Sequence, residues 1–321
     1  TAAEPPARPE PPTQTPAQAP TQRTRGAAVS TADRHAVARE EAFSELALGA
    51  DGHYDAAGGI RTRQHANPLL SRYQTVPEPP DWGTLYEDPT RPLVLDVGCG
   101  PGRFALLCAQ RTQSAPLARF APAGTNFLGL EIREKLVERA GKWADQLGHA
   151  DRCAFLPHNA TVSTRALLSS YPGPLALACV QFPDPHFKRR HHKRRVVQAE
   201  LVEAIVEKLE DGGAVWLQSD VEAVEIDMLV RFIAHARGRL VRAPEALAHN
   251  LATEGVDSLG ADRWGAVEAE YEDELETEAH ALVRSWPWMT VNPLEAPTER
   301  EVLVQAEGQP VFRMLLEKTA A

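Results

Sequence analysis

The chain has 321 residues, a net charge of -10 and 43% hydrophobic residues, sufficient for one large folded domain or two smaller ones. No apolar run approaches the roughly 20 residues that a membrane-spanning helix needs, so no membrane partner is expected. The acidic total argues against a nucleic-acid partner, but it sums an uneven distribution, and local charge decides binding.

Residues 1–35 are rich in Pro, Ala, Thr and Gln. They cannot bury enough apolar surface to offset chain entropy and are expected to be disordered. The chain opens on Thr1 and not on Met, so a natural start upstream is an expectation. The tail fits either the remainder of an organelle-targeting segment or a plain linker. Glu4, Glu10 and Asp33 suit the first reading poorly, because transit peptides are poor in acids. Residues 36–89 read as an N-terminal extension packed on the domain that follows at 90–321.

Regular patterning begins near residue 90. Pro92–Val97 is a short apolar run that ends at a Gly-rich turn, and Arg103–Gln110 reads as a helix. Phe127–Glu131 is a second strand. It leads into a helix whose apolar positions Ile132, Leu136, Val137, Ala140, Trp143 and Leu147 follow helical spacing. Cys153–Leu156 and Leu175–Phe182 are further strands, with a helix near Ala166 between them. Val196–Leu209 repeats the helical period, and Asp211-Gly212-Gly213 predicts a turn into the strand Ala214–Ser219. Strands alternating with amphipathic helices predict a doubly wound α/β domain with a mostly parallel sheet.

An acidic insertion at about 240–290 interrupts this pattern; within 249–281, Arg263 is the one Lys or Arg. It reads as a solvated helical segment. A helix at Thr298–Glu307 and an apolar run at Val311–Leu316 would complete a seven-stranded sheet. Cys99, Cys108, Cys153 and Cys179 lie in apolar stretches without paired or ligand spacing. Free thiols in a reducing compartment are expected, and no metal site.

Two segments carry chemistry. Asp96-Val97-Gly98-Cys99-Gly100-Pro101-Gly102 joins the first strand to the first helix. Its glycines let the backbone turn tightly and approach a ligand, and the G-x-G-x-G spacing differs from the G-x-G-x-x-G of dinucleotide sites. A donor such as S-adenosylmethionine carries an ammonium group, which would favour Asp96. Glu131, ending the second strand, can accept hydrogen bonds from both ribose hydroxyls. Asn159 and Ala160, after the third strand, are placed for the adenine edge.

The second segment follows the fourth strand. Pro183 and Pro185 stiffen the loop around Asp184 and hold its carboxylate at the strand end. From Lys188 to Arg195 every residue is basic or histidine. Such density suits phosphate neutralisation on nucleic acid, with Arg189, Arg190, Arg194 and Arg195 as candidates; a nuclear-localisation patch or a solvated face are the plainer readings. Thr298 and Glu301 fit a helix capping box.

P-D-P-x-x-K-x-x-H-x-K-R-R after the fourth strand, together with D-V-G-C-G-P-G, G-L-E and T-x-x-E, resembles the tRNA (guanine-N7)-methyltransferase family over roughly residues 90–318. The resemblance implies the class I (Rossmann-like) S-adenosylmethionine-dependent methyltransferase fold and tRNA as partner. It implies a catalytic role for Asp184 and substrate contacts by Lys188, Asp220 and the T-x-x-E pair Thr298 and Glu301. It also implies cofactor contacts by Asp96, Gly98, Gly100, Glu131, Asn159 and Ala160. Many bacterial members carry Trp after the Pro-Asp-Pro. His186-Phe187 is similar to plant and algal plastid-type members, which implies an intracellular location in a plastid, with cytosol and nucleus left open. A methyltransferase for another substrate and a non-catalytic RNA-binding protein on the same fold are the alternatives; a partner subunit and the oligomeric state are left open.

Overall fold

The computed structural model describes residues 30–48, 66–111, 118–244 and 274–320; of Arg189 only the backbone is described. The expectations for 1–29 and for most of the acidic segment therefore lie outside the described residues. Residues 31–35, expected in the tail, belong to helix α1, Thr31–Ala42, which Ser30 caps by accepting from the Asp33 amide. A one-turn helix, α2, Trp82–Leu85, precedes the sheet.

The apolar runs become strands: β1 Leu93–Val97, β2 Asn126–Leu130, β3 Cys153–Leu156, β4 Leu175–Gln181 and β5 Leu209–Ser219. All five residues of β1 are buried, as a strand with both faces covered requires. Helices α3 Arg103–Gln110, α4 Glu134–Leu147, α5 Ala160–Ser170 and α6 Ala199–Lys208 make the crossovers. Two elements escape the sequence pattern, α7 Glu222–Ala236 and β6 Leu240–Arg242. Helix α7 buries Glu222, Glu225 and Asp227 together with its apolar residues, so its sequence shows no clean polar face to read.

After helices α8 Glu274–Val283 and α9 Glu299–Ala306 the chain closes with β7 Phe312–Lys318, antiparallel to both β5 and β6. The sheet order is β3-β2-β1-β4-β5-β7-β6. It is the seven-stranded, mostly parallel, doubly wound arrangement of Rossmann-like methyltransferases. The chain winds outward from β1 to β3, then crosses back to β4 on the other side of β1. This reversal leaves a crevice beyond the carboxyl ends of β1 and β4, where open α/β sheets bind ligands.

Two local expectations change. The predicted Asp211-Gly212-Gly213 turn is absorbed into β5: the pairing jumps from Leu175↔Leu209 to Leu177↔Ala214. Gly212, at φ 80, bends the extra residues out while the ladder resumes. The described end of the acidic segment, α8, is not a solvated face. It packs on α7 and buries Glu276 and His280; ion pairs to Arg231 and His235 make the burial of Glu276 tolerable. Among the described residues no helix is long and apolar enough to cross a membrane.

Candidate active site

The crevice is a cleft whose wall comes from four strand ends. Val97 ends β1 and Gly98 follows it, Leu130 ends β2 ahead of Glu131 to Arg133, His158 to Ala160 follow β3, and Gln181 ends β4 ahead of Phe182 to Asp184 and His186. Arg194 and Val196 close one side, and Ala66 and Pro68 of the N-terminal extension another. Asp184, Glu131, Gly98, Asn159 and Ala160 thus share one cavity, although strands and crossovers separate them along the chain.

The glycine turn is built for approach. Gly98 and Gly100 have φ of 77 and 54, and a Cβ at either would meet nothing within 4 Å. Their requirement is conformational, and the backbone they expose is open. Gly100 is one step removed from the cleft wall, as is Asp96, which is 3% exposed. Gln181, which does line the cleft, donates to the Asp96 carboxylate at 3.4 Å. Burial pushes the Asp96 pKa up to about 7, opposed by that hydrogen bond and reinforced by the nearby Glu131. Asp96 therefore acts on the cleft through its field and through Gln181, and not as a wall group.

Glu131 is held by Arg133. The Arg133 backbone N–H and Nε donate to Oε1, each at 2.9 Å, and Nη2 donates to Oε2 at 2.8 Å. Asn159 lines the cleft and also serves the fold. Its Oδ1 caps α5 by accepting from the Thr161 amide at 3.2 Å, and its Nδ2 donates to the carbonyls of Pro68 and Tyr73. The side chain thus pins the N-terminal extension, while its Oδ1 keeps a second lone pair.

The Pro-Asp-Pro loop begins where the Phe182 amide donates to the Gln218 carbonyl at 2.8 Å. Phe182 and His186 bracket it with φ of 50 and 43. Bulky residues rarely adopt this region, and such conformations gather at functional sites. Of the two aromatic groups that depart from the bacterial pattern, His186 lines the cleft and Phe187 is 68% exposed. Burial lowers the His186 pKa, and Arg194, His191 and Arg195 lower it further against the pull of Asp184.

The basic run forms a 3-10 helix, Arg189–Arg194, on the lip of the cleft. Lys188, Arg190 and Lys193 are exposed. Arg194 lines the cleft with a buried Nε that has no hydrogen-bond partner. Arg195 departs from the expected phosphate role. Its side chain is 10% exposed and pairs with Asp227 on α7 at 3.1 Å, so it is spent inside the protein.

The T-x-x-E element serves the fold before anything else. Thr298 and Glu301 form a capping box with both arms made, and neither lines the cleft. Glu301 is 2% exposed. It pairs with Arg313 at 2.7 Å and accepts from Gln218 at 3.1 Å and Asn292 at 3.2 Å. Gln218 Nε2 also donates to Gln181 Oε1 at 2.8 Å, so a buried chain of hydrogen bonds runs from Glu301 through Gln218 and Gln181 to Asp96. The two glutamines are register partners at the ends of β4 and β5. Sequence reasoning did not single them out; a polar residue closing each of two apolar strands is the signal that points to them. Asp220 lies outside the cleft wall and is held by Arg300 at 2.5 Å.

A family described as "Putative methyltransferase" matches residues 90–257. A tRNA (guanine-N(7)-)-methyltransferase of Synechocystis sp. is 38% identical over 260 residues, 81% of this chain and 98% of the relative. One of Nostoc sp. is 39% identical over 262 residues, 81% of this chain and 95% of the relative. The matched region carries the glycine turn, Glu131 and the Asp184 loop.

Proposed function

The chain belongs to the tRNA (guanine-N7)-methyltransferase family, and from this we propose that it transfers a methyl group from S-adenosylmethionine to N7 of a guanosine in tRNA, in the variable loop. The observation that carries the proposal is the meeting of Gly98, Glu131, Asp184 and Arg194 in one cleft. It joins a nucleoside-type site to a rigid carboxylate and a cationic lip.

The chain's groups fit the donor. Gly98 and Gly100 offer open backbone to its amino acid portion. Glu131 keeps lone pairs for ribose hydroxyls beyond those that Arg133 occupies. The backbone at Ala160, the first turn of α5, has an N–H to give the adenine edge. When bound, S-adenosylmethionine supplies a methyl group on a positively charged sulfur. Guanine N7 carries an in-plane lone pair and no proton, so the protein has no proton to remove there. Its work is to hold the purine at near-attack distance and to stabilise the positive charge the purine gains. Asp184 does both by accepting hydrogen bonds from the guanine edge. Lys188, Arg190, Lys193 and Arg194 hold the phosphates.

Methylation of bulk tRNA with a labelled methyl donor, followed by chemical cleavage at 7-methylguanosine, tests this. Cleavage at one variable-loop guanosine is expected; label absent from tRNA, or present at other base positions, rejects it.

Two further results are expected. Asp96 is half protonated near pH 7, and a cationic donor prefers the ionised form. Donor affinity should therefore fall as pH drops below about 7, by up to about tenfold per unit. Calorimetric titration from pH 5.5 to 8 measures it, and Asp96→Asn should make the profile flat. Replacing Lys188, Arg190 and Lys193 with Gln should lower the slope of log K against log salt for tRNA by about 0.7 to 0.9 for each phosphate that is no longer neutralised. A slope equal to that of the unaltered protein would remove these side chains from the interface.

A further inference from the structure

Behind the Asp184 loop lies a run of charged groups that the proposed reaction does not use. Arg195 ends the basic segment, yet its guanidinium turns inward. Nη1 lies 3.1 Å from Asp227 Oδ1, Nε donates to the Pro185 carbonyl at 3.1 Å, and Nη2 lies 3.0 Å from His192 Nε2. The Asp227 side chain, on α7, is 5% exposed and accepts from Arg231 Nε on both oxygens at 3.3 Å. Arg231 continues to Glu276 on α8 at 3.0 Å, and His235 reaches the same Glu276 oxygen at 3.1 Å. One guanidinium thus joins the carbonyl of the residue directly after Asp184 to a buried carboxylate on a helix, and a second helix holds that carboxylate's partner.

We propose that Arg195 and Asp227 are a positioning pair for methyl transfer: they clasp the Pro-Asp-Pro loop to α7 and so set where the Asp184 carboxylate stands in the cleft. This rests on the reading of Asp184 given above. Two observations support it independently of sequence position. The loop carries left-handed backbone at Phe182 and His186, φ 50 and 43, and such conformations persist only where surrounding contacts over-determine them. The clasp is a nearly buried ionic contact made at that loop. Its guanidinium bonds the carbonyl and the carboxylate from one rigid plane, a fixed geometry that a lysine ammonium does not supply. The outer link through Arg231 and Glu276 limits the rotamers open to Asp227, so α8 takes part in holding the loop.

The test uses the full chain. Hydrogen–deuterium exchange is followed at the amides of Phe182, Asp184, His186, Phe187 and Lys188 in the unaltered protein, in Asp227→Asn and in Arg195→Gln, with steady-state methylation of tRNA and the salt slope of tRNA binding measured alongside. Both variants should exchange at least tenfold faster in the loop, with β4 and β5 unchanged. Their kcat should fall tenfold or more, while KM for tRNA and the salt slope stay as they were, and Asp227→Glu should regain part of the lost kcat. Where Asp227→Asn does not fold, Glu276→Gln, one link further out, should show a smaller increase confined to the same loop. Unchanged loop exchange overturns the clasp. So does a salt slope lowered by about 0.7 to 0.9 in Arg195→Gln, which would return Arg195 to phosphate binding. The exchange readout needs no substrate. Failure of the unaltered protein to methylate tRNA would therefore overturn the function assigned to Asp184 without touching the clasp.

Discussion

Asp184→Asn should lower kcat by about a hundredfold to a thousandfold, with donor affinity within about threefold of the unaltered protein. The size follows from what the substitution removes. Asparagine keeps the shape and one acceptor oxygen, but it loses the negative charge that faces the purine as positive charge arrives on it. Removing one preorganised electrostatic partner from an active site costs about this factor. Donor binding is spared because Gly98 and Glu131 stand just beyond the ends of β1 and β2, whereas the loop follows β4. The loop itself should stay in place, since Arg195 bonds the Pro185 carbonyl, which the substitution leaves intact. Single-turnover measurement at saturating donor and tRNA isolates the chemical step. A rate within threefold of the unaltered protein would strip Asp184 of the role.

Glu301→Gln should be the most destabilising of these substitutions, by about 3 to 5 kcal/mol, as when one partner of a buried ion pair is removed. Arg313 is 4% exposed and would keep its charge without its carboxylate. Its bonds to Gln218 Oε1 at 3.2 Å and the Thr290 carbonyl at 3.1 Å remain, but these acceptors are neutral. For a domain of this size the loss corresponds to a fall in Tm of about 10 °C. Thr298→Ala, which removes only the cap, should cost about 1 kcal/mol. Thermal unfolding of the two variants therefore separates the two functions of the T-x-x-E element. If Glu301 instead touched tRNA directly, Glu301→Gln would weaken tRNA binding and leave Tm where it was.

The Glu301 result should reach the donor site as well. Glu301, Gln218, Gln181 and Asp96 form one hydrogen-bonded line. A glutamine at 301 brings a donor where only acceptors stood, so the amides along the line must re-sort. This explains how a helix cap outside the cleft can matter for donor binding without touching the donor.

What could be read from the amino acids alone was local. The apolar runs, the helical periods, the glycine turn and the prolines around Asp184 act within a few residues, and each formed at or near its expected place. That Glu131 and Asp184 lie on the same edge of the sheet followed from parallel strands, whose carboxyl ends all face one way. The commitments of individual polar groups were decided elsewhere. Arg195 stands in a run of cations and reads as one more phosphate ligand, until α7 folds against it and offers Asp227. Asn159 reads only as a ligand contact, and the second task of its amide shows once the N-terminal extension crosses it. Asp220 meets Arg300, and Glu301 meets Arg313, only once the closing helix and strand have packed beside β5. The physical reason is range: backbone conformation is set by neighbours in the chain, whereas the partner of a buried charge is whichever group the tertiary packing brings to it.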